Sequence, residues 1–165
     1  MTQQEIKTIA LVGGGVIGGG WATRCLANGL NVVVTDPRPE SRDYVERMID
    51  EAWPILEEAD LIAESSGQLS FVDNIEAAVA QADFVQENVP EREDLKIAIH
   101  QEISENVRAD VVIASSSSGL LPSRLQSQCK HPERLLIGHP FAPVYLLPLV
   151  EVVGSEQTSS VAVSR

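Results

Sequence analysis

A chain of 165 residues is long enough for one domain with a substantial core, and its 44% hydrophobic and 22% charged residues are ordinary for a globular protein. The formal net charge of −12 and the lack of basic clusters exclude nucleic acid and anionic membranes as expected partners. The start, 1–7, is polar and gives no export signal, and no apolar run approaches the roughly 20 residues that span a bilayer. The two cysteines lack metal-ligand spacing, so we predict a cytoplasmic protein without a metal site.

Apolar runs alternate with helix-like stretches along the whole chain. The predicted strands are Thr8–Val12, Asn31–Thr35, Leu69–Val72, Asp83–Gln86, Val111–Ser115, Arg134–Gly138 and Leu149–Val153. The predicted helices are Val16–Asn28, Ser41–Ala59, Ile75–Gln81, Arg92–Glu105 and a short turn at Ser123–Gln128. This alternation predicts the α/β class: a doubly wound, mostly parallel Rossmann-type sheet with helices on both faces. Right-handed crossovers would place the carboxyl ends of all strands at one edge, where ligands bind.

The first predicted strand runs into a glycine-rich loop. Gly13, Gly15 and Gly18 form the pattern G-x-G-x-x-G, with Val16 and Ile17 inside it, and a predicted helix follows. The first glycine permits a tight turn, the second lets a pyrophosphate approach the backbone, and the third lets helix and strand pack closely. The helix N-terminus also offers free N–H groups to phosphates. We therefore predict a dinucleotide site at these five residues.

The second predicted strand ends at Asp36, at the distance from the glycines where dinucleotide-binding folds place an acidic residue. A carboxylate there accepts a hydrogen bond from the ribose 2′-OH and repels a 2′-phosphate, so NAD is predicted rather than NADP. Arg38 lies nearby and keeps NADP open as the alternative. A simple turn-forming role for Asp36 before Pro37 is a further alternative.

Three polar residues fall where later strands reach the ligand edge. Ser118 follows the fifth strand, His139 closes Arg134–Gly138, and Glu151 lies inside the last strand. Histidine can accept a hydroxyl proton near neutral pH, a carboxylate can fix its tautomer, and a serine hydroxyl can hold the substrate oxygen. Purely structural roles for all three residues stay open on spacing alone.

Four ordered motifs resemble the 3-hydroxyacyl-CoA dehydrogenase superfamily over essentially the whole chain. They are the loop Gly13–Gly20, Glu87–Arg92 with Lys96, Ser115–Ser118, and His139–Pro143 with Pro148–Glu151. Within that superfamily, four segments are most similar to the L-carnitine 3-dehydrogenases: Ala52–Pro54, Pro90–Lys96, Ser118–Ser123 and Pro143–Leu149.

The resemblance implies a role for each candidate residue. His139 would be the general base, Glu151 its orienting partner and Ser118 a ligand of the reacting oxygen. Glu91 and Lys96 would line the nicotinamide-ribose side of NAD. The implied reaction is oxidation of a 3-hydroxy group on a small molecule.

The implied substrate is L-carnitine, which would become 3-dehydrocarnitine. Its quaternary ammonium group has no N–H to donate, so aromatic faces or carboxylates must hold it, and Phe141 and Tyr145 are the nearest aromatic candidates. The alternatives are a 3-hydroxyacyl-CoA dehydrogenase and a non-catalytic NAD-binding relative similar to a lens crystallin. Coenzyme A would need basic residues for its phosphates, and the chain has 12 against 24 acidic ones.

The chain departs from the family pattern in two ways. Ala142 stands where the motif His-x-Phe-Asn-Pro has asparagine, so an amide near the predicted site is absent. Family members also continue into a helical C-terminal domain that closes the cleft and forms most of a homodimer interface. We expect 1–155 to be the NAD-binding domain and 156–165 to begin the helix that leads to the second domain. Without that domain, the 165 residues alone are expected to be nearly inactive.

Overall fold

Runs of apolar and β-branched residues form one sheet in the computed structural model of the chain, which describes residues 5–165. The strands are β1 (Thr8–Val12), β2 (Asn31–Thr35), β3 (Leu69–Phe71), β4 (Phe84–Glu87), β5 (Val112–Ser115), β6 (Leu135–Pro140) and β7 (Val150–Val153). The helices are α1 (Val16–Ala27), α2 (Ser41–Glu58), α3 (Ile75–Val79), α4 (Glu93–Asn106), α5 (Pro122–Leu125) and α6 (Ser160–Val163). Residues 1–4 of the polar start lie outside the described residues. Within 5–165, no helix combines the length and the apolar character needed to cross a membrane.

The strand order is β3-β2-β1-β4-β5-β6-β7, and every neighbouring pair is parallel except β6 with β7. The predicted doubly wound, mostly parallel sheet is therefore confirmed. The order reverses between β1 and β4, so the loops after these two strands leave in opposite directions. Such a switch point opens a crevice at the carboxyl edge of the sheet, where ligands of this fold class bind.

The central strands are buried on both faces. Ala10 and Val12 of β1 pack into the cluster beneath α3 and α4, whereas Leu11 packs into the cluster beneath α1 and α2. Two buried faces explain why β1 reads as an unbroken apolar run instead of an alternating one. Cys25 of α1 belongs to the second cluster, and burial raises the pKa of its thiol to about 12. It is a core residue.

Two predictions about the end of the sheet were wrong. The structure continues β6 to Pro140, so His139 lies inside the strand instead of following it. It also makes β7 antiparallel, so the amino end of β7, not its carboxyl end, lies at the ligand edge. A parallel return requires a crossover of about a dozen residues or more, and the connection 141–149 is too short for one. The other boundaries differ by a few residues at element ends, where hydrogen bonding frays.

Helix α1 lies close against the connection between β6 and β7. A Cβ placed on Gly20 would lie 2.8 Å from the Cβ of Val144, a separation that two such atoms do not adopt. Val144 is itself buried. The helix that follows the glycine loop can therefore reach this connection only because residue 20 has no side chain.

The segment 156–165 packs on β6. The Thr158 hydroxyl donates to the carbonyl of Leu135 at 2.8 Å, and the Ser159 N–H donates to the carbonyl of Glu133 at 2.9 Å. Ala162 of α6 is buried against β5 and β6. The assignment of 1–155 to an NAD-binding domain, and of 156–165 to the start of a helix that leads to a second domain, stays a prediction.

Candidate functional site

A cavity of about 860 Å³ opens at the carboxyl edge of the sheet, at the switch point between β1 and β4. Its walls come from the glycine loop, the end of β2, the β4–α4 loop, the residues after β5 and the end of β6. The predicted site residues in these walls are Gly13, Gly15, Val16, Ile17, Asp36, Glu91, Lys96, Ser118 and His139. The fold thus brings the predicted nucleotide and catalytic residues to one cavity. Gly18 and Glu151, the other two predicted site residues, are not among the residues that line it.

The glycine loop has the backbone that a pyrophosphate needs. Gly13 has a φ of +102°, which side chains rarely tolerate, and a Cβ there would lie 2.8 Å from the carbonyl carbon of Asn88. A Cβ on Gly18 would lie 1.9 Å from the carbonyl oxygen of Gly13, so the loop and α1 are in direct contact. A Cβ on Gly15 would meet only the Arg38 guanidinium, at 3.8 Å. Gly15 therefore presents bare backbone to the cavity at the N-terminus of α1, and the first turn of α1 itself carries no acidic residue.

Asp36 lies against this loop, and its role as the ribose ligand stays a prediction. Its Oδ2 accepts the Gly14 N–H at 2.8 Å, and Arg38 donates to both of its oxygens. Partial burial raises the pKa of Asp36, but the hydrogen bonds from Arg38 and Gly14 outweigh burial and hold that pKa below its ordinary value. The carboxylate is therefore charged at neutral pH and fixed against the loop.

A buried ionic cluster lies under the cavity. The Glu87 carboxylate accepts bonds from the Val89 N–H at 2.6 Å, the Lys96 ammonium at 2.7 Å and the Ser115 hydroxyl at 2.5 Å. The side chains of Glu87 and Lys96 are 0% and 1% exposed. His100 is also fully buried, with its Nε2 3.1 Å from Glu87 Oε2. Burial raises the pKa of Glu87, but His100 and the Lys96 charge outweigh burial and hold that pKa below its ordinary value. The cluster therefore holds a charged carboxylate in the core.

Glu91 fixes the loop that carries Ser118. One Glu91 oxygen accepts the Ser117 hydroxyl at 2.6 Å and the N–H groups of Ser118 and Gly119 at 3.1 and 3.2 Å. The other oxygen lies 3.6 Å from the Lys96 ammonium. Partial burial raises the pKa of Glu91, but these hydrogen bonds and the Lys96 charge hold that pKa below its ordinary value. Only the second oxygen is free for a ribose hydroxyl.

Acid is expected to weaken this contact. The pKa of Glu91 is lower in the folded chain than in the unfolded chain, so its stabilisation is complete above about pH 5 and is lost as the pH falls through the folded-state pKa. In the Glu91→Gln variant, the free energy of unfolding should therefore decrease less steeply as the pH is lowered than it does in the unchanged protein. Urea denaturation at a series of pH values measures this dependence. Glu57→Gln, an exposed carboxylate on α2, is the control. An unchanged acid slope in Glu91→Gln would contradict the assignment.

His139 and Glu151 are direct cross-strand partners in the antiparallel β6–β7 pair. Residues opposite each other in such a pair point to the same face of the sheet. The distance from His139 Nδ1 to Glu151 Oε2 is 3.5 Å, longer than a hydrogen bond, and the side chains are 26% and 58% exposed. Ser118 lines the same cavity as His139. His139 and Glu151 are thus neighbours and Ser118 shares a cavity with His139, whereas the catalytic role of each stays a prediction.

Sequence reasoning missed a polar network that links the ends of β4 and β5 to β6. The Gln86 amide donates to the Ser116 hydroxyl at 2.8 Å and to the Gly138 carbonyl at 2.9 Å, next to His139. The Ser116 hydroxyl in turn donates to Asn88 Oδ1 at 2.7 Å. Asn88 and Ser116 line the cavity. Both residues directly follow a strand at the ligand edge, and this position in the sequence is the feature that could have identified them as site residues.

The family profile described as 3-hydroxyacyl-CoA dehydrogenase, NAD binding domain, matches residues 8–165. The L-carnitine dehydrogenase of Pseudomonas aeruginosa is 52% identical over 160 residues, which cover 96% of this chain and 50% of that protein. The L-carnitine dehydrogenase of Bacillus cereus is 48% identical, with 96% and 49% covered. The chain spans about half the length of the curated relatives it matches.

Solved structures agree with this match. The structure of FHMPC 5-dehydrogenase, described as an NAD+-dependent dismutase, has a TM-score of 0.90 at 33% identity and covers 97% of this chain and 52% of that one. The (S)-3-hydroxybutyryl-CoA dehydrogenase of Ralstonia eutropha has a TM-score of 0.86 at 26% identity, with 97% and 58% covered.

Proposed function

Because the chain belongs to the 3-hydroxyacyl-CoA dehydrogenase family and matches its NAD-binding domain, we propose that the protein oxidises the 3-hydroxy group of L-carnitine to give 3-dehydrocarnitine. The family and the NAD prediction are confirmed by the domain match, and the glycine loop fits a dinucleotide pyrophosphate. The observation that carries the proposed activity is that His139 lines the same cavity as the glycine loop. In such an oxidation the base must reach the hydroxyl proton while the nicotinamide reaches the hydrogen on the carbon that carries that hydroxyl.

The proposed roles follow from the position of each side chain. Glu151 faces Nδ1 of His139, which leaves Nε2 to accept the substrate's hydroxyl proton. The Glu151 charge would stabilise the imidazolium that results, and Ser118 would donate to the substrate oxygen. NAD, when bound, supplies the acceptor for the hydride that leaves the same carbon. Glu91, by fixing the Ser118 loop, would hold that hydroxyl in place.

The substrate proposal rests on the carnitine dehydrogenase relatives and on the groups beside His139. The Phe141 ring centroid lies 5.4 Å from that of His139, and Phe141 is exposed beside the base. An aromatic face is a group that holds a quaternary ammonium. We further propose that the intact protein is a cytoplasmic homodimer and that Glu91 and Lys96 face the nicotinamide ribose.

A 3-hydroxyacyl-CoA is the second candidate substrate, and the similarity to the Ralstonia eutropha structure favours it. The charge balance favours carnitine, because the three phosphates of coenzyme A need cationic partners. The chain has 12 basic residues against 24 acidic ones.

A substrate panel tests the proposal on the intact gene product with NAD. We expect kcat/KM for L-carnitine to exceed that for 3-hydroxybutyrate and 3-hydroxybutyryl-CoA by about 10²-fold or more, because only carnitine presents a cation to the aromatic face of Phe141. NADH formation is the readout, and D-carnitine is the stereochemical control. Phe141→Leu should raise KM for L-carnitine by about tenfold and leave KM for 3-hydroxybutyrate unchanged. A higher kcat/KM for the CoA ester would overturn the substrate assignment.

A further inference from the structure

The end of β6 that carries His139 extends beyond the pairing of this strand with β5. That pairing ends at Ile137, and all four residues of β7, the neighbour on the other side, are exposed. The Phe141 N–H donates to the Leu149 carbonyl at 3.2 Å, and hydrogen-bonded residues alternate along an antiparallel pair. The Gly138 carbonyl is therefore directed away from β7, and its donor must come from the side of β5.

A side chain from β4 supplies this donor. The backbone N–H groups of Ser116 and Ser117, which follow β5, are bonded to other acceptors. The Gln86 amide donates to the Gly138 carbonyl at 2.9 Å, and Gln86 is 3% exposed. A buried carbonyl without a donor would cost free energy, so the glutamine takes the place of the backbone donor that the end of the β5 pairing leaves out.

Two small residues leave room for the glutamine side chain to cross from β4 to β6. The strand between them is β5, where residue 114 is alanine. A Cβ on Gly138 would lie 3.1 Å from the Cβ of Ala114 and 3.5 Å from Gln86 Oε1. Larger residues at these two positions would therefore fill the space that the amide occupies.

A second bond fixes the orientation of the Gln86 amide. The amide also donates to Ser116 Oγ at 2.8 Å, and the Ser116 hydroxyl donates to Asn88 Oδ1 at 2.7 Å. Asn88 in turn contacts the glycine loop, because a Cβ on Gly13 would lie 2.8 Å from the Asn88 carbonyl carbon. A continuous set of contacts thus joins the loop that fits the pyrophosphate to the strand that carries His139.

We infer that Gln86 is a positioning residue for His139, which it holds in a fixed place relative to the glycine loop. The Gly138 carbonyl and the His139 N–H belong to one planar peptide unit. A donor that holds the carbonyl therefore restricts the rotation of this unit and the direction in which the imidazole points. Gln86 does not line the cavity, so it acts through His139. The inference rests on the proposed function, because it takes His139 as the base.

Steady-state kinetics of the intact gene product test the inference, with the panel substrate that gives the highest kcat/KM. Gln86→Met keeps the approximate length of the side chain and removes both N–H donors. It should lower kcat by about tenfold, because a small displacement of a reacting group is costly, and change KM for NAD by less than about twofold. In a His139→Gln background, the same substitution should lower kcat by less than about twofold, because no base is left to position.

Gln126→Met is the matched control. Gln126 is also buried, its amide donates to Gln157 Oε1 at 2.7 Å, and it does not line the cavity. Both variants should be less stable than the unchanged protein, whereas only Gln86→Met should lower kcat. If circular dichroism shows that Gln86→Met is unfolded, Ser116→Ala takes its place. It removes the partner that orients the amide and should show the same dependence on His139.

Two kinetic results would overturn the inference. One is a tenfold loss of kcat that persists in the His139→Gln background, because Gln86 would then act on the fold as a whole. The other is a KM for NAD that rises as much as kcat falls, because Gln86 would then support the NAD site and not the base.

Hydrogen exchange separates failure of this inference from failure of the proposed function. An intact gene product that oxidises none of the panel substrates would overturn the proposed function. Amide exchange of the β6 peptide that contains His139, measured by mass spectrometry, needs no turnover. Gln86→Met should speed this exchange by about fivefold or more relative to that of β1, and Gln126→Met should not. Unchanged exchange in Gln86→Met would overturn the inference whether or not the protein is active.

Discussion

Replacing Lys96 with methionine is expected to lower the free energy of unfolding by about 3–5 kcal/mol, the usual cost of leaving one partner of a buried ion pair uncompensated. The Lys96 ammonium lies 2.7 Å from Glu87 Oε1, and both side chains are excluded from water. Methionine has a similar length and no charge, so it removes the counter-charge without opening a large cavity. Urea denaturation at neutral pH, with circular dichroism as the signal, measures the loss.

A second substitution should recover much of that loss. Glu87→Gln combined with Lys96→Met removes both charges, so the double variant should be more stable than Lys96→Met alone. The loss in the single variant should also shrink as the pH is lowered, because protonated Glu87 needs no counter-charge. Arg92→Gln, which breaks the exposed pair with Asp94, is the matched control and should leave the free energy of unfolding nearly unchanged. A Lys96→Met variant as stable as the control would show that the buried pair is not held ionised.

Changing His139 to glutamine in the intact gene product is expected to lower kcat by about 10²–10⁴-fold, the range that a general base contributes in comparable relays. Glutamine approximates the size of histidine but cannot take the hydroxyl proton. The affinity for NAD should stay nearly unchanged, because the substitution leaves the proposed dinucleotide contacts, the glycine loop and Asp36, intact. Steady-state kinetics with L-carnitine and calorimetric titration with NAD measure the two quantities separately.

Glu151→Gln should lower kcat less than His139→Gln does, because its carboxylate is largely exposed and lies 3.5 Å from the imidazole. His131→Gln is the matched control. That histidine precedes Pro132 at the opposite end of β6 and pairs with Glu133. If His139→Gln lowers kcat by less than about tenfold, a group other than His139 accepts the hydroxyl proton of the substrate.

The nucleotide half of the fold could be predicted from the sequence because its determinants are local. The strand Thr8–Val12, the glycines after it and the acidic residue at the end of the next strand each follow from residue type and spacing. The far edge of the sheet could not be predicted as well. The direction of β7 depends on the length and path of the connection 141–149. Hydrophobic periodicity does not indicate whether a strand runs parallel or antiparallel to its neighbour.

The buried ionic cluster of Glu87, Lys96 and His100 could not be predicted from the sequence either. His100 lies on a helix with charged neighbours, and nothing local indicates that it is fully buried against Glu87, a residue of another element. Lys96 was expected to line the nicotinamide-ribose side of NAD. It lies in the cavity wall, and nothing in the sequence indicated that its ammonium donates to Glu87 and the Val89 carbonyl. Contacts between a strand and the helix packed on it are tertiary, so they become visible only once the fold is known.

The contact between Gly20 and Val144 predicts a pattern of joint variation among related sequences. A methyl group at position 20 would lie within the volume of the Val144 side chain, so a larger residue at 20 requires a smaller one at 144. We expect alanine or serine at 20 to occur mainly in sequences that carry alanine or glycine at 144. The helix that follows the glycine loop and the connection between His139 and Glu151 would then evolve as a matched pair. A loop transplanted from a relative should be tolerated only together with the residue that faces it.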